Sequence, residues 1–107
     1  MLAFSSAVAV SVPPARDDAC DVFISGDLTS SSYCDTLPSK VAEALGGLDI
    51  VVNNAGVIRR GAITETTDED YEVSFAVNVV VPVRICRAAI PLLVENGGGV
   101  IVNVASC

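Results

Sequence analysis

The sequence contains no histidine and no tryptophan, and its aromatic residues are two tyrosines and three phenylalanines. Without histidine, and with four cysteines that show no C-x-x-C spacing, a structural metal site is not expected. Basic residues are also few, six against thirteen acidic ones, which gives a net charge of −7. Nucleic acid and anionic membranes are therefore not expected partners, because phosphate binding needs clustered lysine and arginine. With 107 residues, the chain is one domain at most.

The cysteines Cys20, Cys34, Cys86 and Cys107 permit two interpretations. In a small secreted protein they would form two disulfides, whereas in a cytosolic protein they would remain thiols. The second interpretation is preferred, and Cys86, on a predicted helix, is then a small core residue.

The N-terminal segment, residues 1–20, is separated here from a domain at 21–107. Its apolar runs resemble the core of a signal peptide, but no lysine or arginine precedes them and they are too short to span a bilayer. The preferred alternative is a strand over Ala7–Val12 that packs beside the sheet. Pro13 and Pro14 would end it, because proline has no N–H to donate to a neighbouring strand.

The rest of the chain alternates between apolar runs and helical patterns. Strands are predicted at 21–25, 48–52 and 100–104, and helices at 30–45 and from 67 to about 95. The second strand, rich in β-branched residues, is expected to be buried on both faces, as in parallel sheets. On the second helix the predicted apolar stripe comprises Tyr71, Phe75, Val79, Cys86, Ala89 and Leu93. A β-α-β-α-β order predicts an α/β fold with right-handed crossovers and a parallel sheet.

Asn53-Asn54-Ala55-Gly56 is the most informative stretch, since it follows directly on the second strand. Ligands of open α/β sheets bind outside the carboxyl ends of the strands. Two amides supply hydrogen-bonding groups there, and Gly56 allows close approach to the backbone. The alternative for this stretch alone is a simple strand-ending turn.

The order of Asp27-Leu28, this tetrad, Asn78 and the segment Val100–Ser106 resembles the short-chain dehydrogenase/reductase family over residues 21–107. The tetrad matches the family's N-N-A-G motif, and the last segment resembles its I-V-N-x-x-S. The resemblance implies a partial doubly wound, Rossmann-like parallel sheet of three strands, with a further N-terminal strand. It also implies hydride transfer between an alcohol and a carbonyl compound, with NAD or NADP as cofactor.

The resemblance also assigns roles to single residues. Ser106 would polarise the substrate carbonyl or hydroxyl, and Asn78 would hold a water through its main-chain carbonyl. The cofactor would contact Asp27 and Leu28 at its adenine, and Asn53, Ala55 and Gly56 at its ribose and nicotinamide. Asn54 is equally interpreted as a residue that ties neighbouring strands together.

Asn78 has an independent signal in the sequence. Pro82, four residues later, has no N–H for the Asn78 carbonyl, which predicts a helix kink with an unpaired carbonyl. Taken alone, an asparagine with a proline four residues later is most simply explained by a structural kink in the helix. The nearby tetrad favours the functional interpretation.

Two family motifs do not occur in these 107 residues. No T-G-x-x-x-G-x-G turn, which would bind the pyrophosphate, precedes Asp27. Neither Tyr33 nor Tyr71 has a lysine four residues later, so no Tyr-x-x-x-Lys acid/base pair is present. The 107 residues alone are therefore expected to be an inactive, cytoplasmic fragment that binds cofactor weakly or not at all.

In the family's sheet order, two strands lie between the strand before Asp27 and the strand before Asn53. Residues 7–12 could fill one of these places, and exposed sheet edges would favour self-association. One alternative function is therefore an assembly fragment that pairs with a full-length relative. The other is the small secreted protein with two disulfides.

Overall fold

The fold is described by a computed structural model that covers residues 2–4, 7–11 and 22–105. Its elements in chain order are β1 (Leu2–Phe4), β2 (Ala7–Ser11), β3 (Val22–Ser25), α1 (Ser31–Leu45), β4 (Ile50–Asn53), α2 (Asp68–Phe75), a π-helical turn (Ala76–Val80), α3 (Val81–Glu95) and β5 (Val100–Asn103). The three strands predicted downstream of residue 20 are confirmed, each within two residues of its expected limits.

The five strands form one sheet in the order β3-β2-β1-β4-β5. The pairs β2–β3 and β4–β5 are parallel, while β1 is antiparallel to both of its neighbours. Four strands therefore point the same way and end at one edge of the sheet, which we call the carboxyl edge. The predicted α/β fold with parallel strands is confirmed.

The N-terminal strand lies at Ala7–Ser11, as expected, but β1 was not predicted. Together the two strands occupy both places between β3 and β4, where the sequence suggested that one would be filled. The antiparallel direction of β1 has a simple cause. Only two residues separate it from β2, which is enough for a hairpin but far too short for a parallel crossover. The proposed division at residue 20 stays a prediction.

The two long helices begin and end at the residues that the sequence indicated. The Ser30 side chain caps α1, and Gly46 ends it in the left-handed conformation with φ of 81°. At the start of α2, Thr67 and Asp70 form a capping box. Pro38 is buried inside α1, and the helix is continuous from Ser31 to Leu45.

The core lies between the sheet and one layer formed by α1 and α3. Val51 of β4 is fully buried in it, whereas Ile50 is 36% exposed and Val100 of β5 is 54% exposed. The prediction that the strand at 48–52 is buried on both faces is therefore wrong for β4. Side chains alternate between the two faces of a strand, and the helices described here cover only one of them.

The predicted apolar stripe of the second helix is also corrected. Ala89 and Leu93 are buried, but Tyr71, Phe75 and Val79 are exposed and Cys86 is half-buried. The core-facing stripe instead consists of Val77, Val81, Ile85, Ala89 and Leu93. This stretch carries apolar residues on two faces, so periodicity alone could not indicate which of them faces the sheet.

By length and composition alone, Asp68–Glu95 could cross a membrane, since it contains an 18-residue window with a mean hydropathy of 1.8. Core helices of soluble proteins pass the same test, so this is weak support for a membrane span.

Candidate active site

Asn53 ends β4 and ties it to β5. It is 6% exposed, and its side-chain nitrogen donates to Asn103 Oδ1 at 2.9 Å, with Cys86 Sγ 3.7 Å away. Asn53 and Asn103 are direct partners in the parallel register, so their side chains leave the sheet at the same level. The strand-tying role suggested for Asn54 thus belongs to Asn53 in the structure.

The rest of the tetrad opens onto a cleft of about 700 Å³ at the carboxyl edge. This volume is typical of small-molecule sites. The cleft is lined by Asn54, Ala55, Gly56, Val57, Ile58, Arg60, Asn78, Val104 and Ala105. The structure therefore brings together three of the predicted site residues, namely Ala55, Gly56 and Asn78.

Asn78 holds the loop after the tetrad by its side chain. Its Oδ1 accepts from the Val57 N–H at 2.9 Å, and its Nδ2 donates to the Val57 carbonyl at 3.0 Å. Gly56 passes close by, since a Cβ placed there would lie 3.3 Å from Asn78 Oδ1. A side chain at position 56 would crowd this contact, so glycine lets the loop approach the helix.

The backbone around Asn78 is irregular, as Pro82 led us to expect. Ala76–Val80 form a π-helical turn in which the Val81 N–H donates to the Ala76 carbonyl. Such single π turns occur frequently at functional sites. An unpaired main-chain carbonyl at Asn78 stays a prediction.

Asp27 and Leu28 follow β3, three places along the sheet from β4. At the usual strand spacing this is roughly 14 Å, and neither residue lines the cleft. The Thr29 hydroxyl and then the Thr29 N–H donate to Asp27 Oδ1, at 2.6 and 2.9 Å, which holds the pKa of this exposed carboxyl below its usual value. Leu28 is a core residue with 1% exposure.

Ser106 lies outside the described residues, next to Ala105, which does line the cleft. Its predicted role therefore remains an expectation.

The two cysteines within the described part of the chain, Cys34 and Cys86, are free thiols. Cys34 is buried and donates to the Leu28 carbonyl at 3.0 Å, and burial raises the pKa of its thiol. No group of three or more potential metal ligands occurs among residues 2–4, 7–11 and 22–105.

Two features of the site were missed by the sequence interpretation. The contact of Asn103 with Asn53 could have been predicted. Each asparagine ends a parallel strand, and the register of β4 and β5 places the two side-chain amides next to each other. Arg60 and Ile58 lie in an irregular loop, for which neither periodicity nor a motif indicates which side chains face a cleft.

The cleft fits part of a nicotinamide dinucleotide. Exposed polar groups at Asn54 and Gly56, with apolar contacts from Val104 and Ala105, suit a ribose and a flat ring. The described residues do not include the glycine-rich turn that usually binds the pyrophosphate. Because β1 is antiparallel, its carboxyl end lies at the opposite edge of the sheet, and β1 cannot supply this turn.

Comparison with known proteins gives a consistent result. The family model for short chain dehydrogenases matches residues 8–107. An uncharacterized oxidoreductase from Thermotoga maritima is 43% identical over 84 residues, which cover 78% of this chain and 33% of that protein. A fatty acyl-CoA reductase from Mycobacterium tuberculosis is 35% identical over 82 residues, which cover 75% of this chain and 28% of that protein. The chain thus spans about a third of the length of these relatives.

Solved structures agree with this assignment. A short-chain dehydrogenase from Streptomyces avermitilis superposes with a TM-score of 0.75 and 32% identity, over 91% of this chain and 39% of that one. A short-chain dehydrogenase/reductase from Burkholderia xenovorans gives a TM-score of 0.81 and 26% identity, over 92% of this chain and 43% of that one. Together with the tetrad at the carboxyl edge, these matches show that the chain belongs to the short-chain dehydrogenase family.

Proposed function

We propose that this chain carries the central part of an oxidoreductase that transfers hydride between an alcohol and a carbonyl compound, with NAD or NADP. The observation that carries the proposal is the cleft at the ends of β4 and β5, which is lined by Asn54, Ala55, Gly56 and Asn78. The names of two relatives point the same way: one is a fatty acyl-CoA reductase, and another, from Sphingobium indicum, is a 2,5-dichloro-2,5-cyclohexadiene-1,4-diol dehydrogenase.

In this proposal the cofactor supplies or accepts the hydride, and this chain's residues position the reactants. Ala55 and Gly56 present backbone groups to the nicotinamide half, while Asp27 and the Leu28 backbone contact the adenine. Ser106 donates to or accepts from the substrate oxygen, and the Asn78 carbonyl holds a water. Asn53 acts indirectly, since its side-chain amide is bonded to Asn103.

We further propose that the 107 residues alone do not turn over substrate. A tyrosine that acts as an acid/base needs its pKa lowered toward the working pH. Burial raises the pKa of Tyr33, which is the opposite direction, and Leu37 rather than lysine stands four residues after it. The test is the purified chain with NADH or NADPH and a panel of ketones. Turnover well above that of a Ser106→Ala control would overturn this proposal.

A second candidate, an assembly fragment, rests on a separate observation. β5 is an edge strand, and Val100 and Val102 on it are 54% and 43% exposed, while Val104, just after it, is 58% exposed. No charge or proline interrupts residues 100–105, and such residues usually protect edge strands from pairing. Co-expression with a full-length relative, or self-association measured by light scattering, tests it. A monomer that forms no complex would count against this candidate.

Thiol titration tests the third candidate, a secreted protein with two disulfides. Cys34 and Cys86 are free in the structure. Two reactive equivalents or more in the unfolded, unreduced protein would rule out a framework that needs all four cysteines.

A further inference from the structure

Two neighbouring arginines in the loop after the tetrad have different surroundings. The Arg59 charge acts on Asp70, whose pKa is lowered mainly by the Thr67 N–H and hydroxyl and to a smaller extent by Arg59. Arg60 lines the cleft instead. The pair therefore offers a natural comparison: two equal charges stand next to each other in the loop, and of the two only Arg60 lines the cleft.

Arg60 follows closely on a part of the loop that hydrogen bonds hold in place. Val57, three residues before it, is held by both polar atoms of the Asn78 side chain. A side chain as long as arginine, starting so close to an anchored backbone, can reach only a limited part of the cleft. The side chain of Arg60 therefore starts from a held part of the loop and lines the cleft.

The chemical setting of Arg60 favours an anionic ligand. Of the described residues that line the cleft, Arg60 alone is charged, and Ile58, Val104 and Ala105 give its walls apolar character. Charges interact more strongly beside apolar walls than in open water. The net charge of the whole chain is −7, which repels anions. The single positive charge among the described lining residues is therefore where an anion would bind in the cleft.

We propose, on the basis of the function proposed above, that Arg60 binds an anionic oxygen group, a carboxylate or a phosphate, carried by the alcohol or carbonyl substrate. The planar guanidinium suits such groups because it can donate two parallel hydrogen bonds to them. The anion is assigned to the substrate because Arg60 shares the cleft with Asn78 and Ala105 at the end of β5. A dinucleotide's pyrophosphate binds elsewhere in this type of fold, at a helix N-terminus after a central strand.

The experiment is a titration of the ¹⁵N-labelled chain with three probes, followed by amide chemical shifts at Gly56, Val57 and Ala105. The probes are 3-hydroxybutyrate, glycerol 1-phosphate and the neutral 3-hydroxybutyramide. We expect at least one anion to bind roughly tenfold more tightly than the amide, and to lose that advantage in Arg60→Gln. Arg59→Gln is the matched control and should bind as the unmodified chain does. Added NaCl should weaken binding of the anion but not that of the amide.

Equal binding of the anions and the amide would overturn the proposal, as would equal losses in the Arg59 and Arg60 variants. A separate titration with NADH distinguishes the source of the anion. If Arg60→Gln weakens NADH and leaves the small anions unaffected, Arg60 serves the cofactor and the proposal is wrong. If NADH does not bind but the anions still require Arg60, the proposed cofactor contacts of this cleft fail while the anion site stands. Because Arg60 is exposed, its replacement should not affect folding, which the dispersion of the same spectra checks.

Discussion

Asn53 and Asn103 stand at the same level of two parallel strands, and a hydrogen bond of 2.9 Å joins their side-chain amides. Asn53 is buried, so this bond satisfies a polar group that water does not reach. The pair connects the strand that carries the tetrad to the strand that leads to Ser106, and the two walls of the cleft depend on that connection.

Replacing Asn103 by leucine should destabilise the fold by about 1–3 kcal/mol, because the buried Asn53 amide loses its acceptor. Urea unfolding followed by circular dichroism measures this loss. The double variant Asn53→Leu/Asn103→Leu should recover part of it, since two apolar groups leave nothing unsatisfied. Strictly additive losses in the double variant would show that the pair is not coupled.

Asn78→Ala should loosen the loop after the tetrad without unfolding the helix. The two hydrogen bonds to Val57 contribute about 0.5–1.5 kcal/mol each, and every 1 kcal/mol lost should speed exchange of the Val57 amide about fivefold. Hydrogen exchange measured by NMR gives this rate. Asn96→Ala is a suitable control, because its side chain bonds to Leu48 and Asp49 instead. An unchanged Val57 rate in Asn78→Ala would show that the Asn78 side chain does not hold this loop.

Gly26→Ala should cost about 1–3 kcal/mol, since a Cβ at this position would collide with the ring of Tyr33. Gly61→Ala is the control, because a Cβ there would meet its nearest neighbour at an ordinary 3.6 Å.

Tyr33→Phe should be neutral or stabilising, since the Tyr33 hydroxyl is buried and has no hydrogen-bond partner in the described structure. Thermal unfolding of the three variants tests both statements, and a strongly destabilised Tyr33→Phe would refute the second.

The Asp27 carboxyl should titrate below its ordinary pKa, because the Thr29 hydroxyl and N–H bond to its ionised form. A pKa that is lower in the folded than in the unfolded state contributes stability above the unfolded pKa. That contribution is lost as the pH falls through the folded value. Thr29→Val should move the Asp27 pKa back up, as followed by ¹³C NMR of the carboxyl between pH 2 and 6. Thr36→Val, whose hydroxyl bonds to the Ser32 and Tyr33 carbonyls, should leave it unchanged.

Strands β3, β4 and β5 and the two helices could be predicted from the sequence because each has strong local signals. The Thr67 cap, Gly46 and the apolar runs define their limits almost to the residue. The hairpin of β1 and β2 could not be predicted from local signals. The three residues of β1 do not determine its partners, which depend on how the strands pair in the sheet.

Only part of the candidate site could likewise be predicted from the sequence. Ala55, Gly56 and Asn78 follow from a motif and from the Asn–Pro spacing. That Asn53 rather than Asn54 ties β4 to β5 did not follow, because consecutive side chains at a strand end point in opposite directions and only the register decides which one faces the next strand.

The cleft at the carboxyl edge is the proposed binding place for the nicotinamide half of the cofactor. The most direct test is an NMR titration of the ¹⁵N-labelled chain with NADH, up to concentrations at which weak binding is visible. Binding at the cleft predicts selective shifts at Ala55, Gly56, Val57 and Ala105, which Asn78→Ala should reduce. Shifts confined to Gly47, Leu92 and Asn96, which line a separate recess of about 230 Å³, would contradict it.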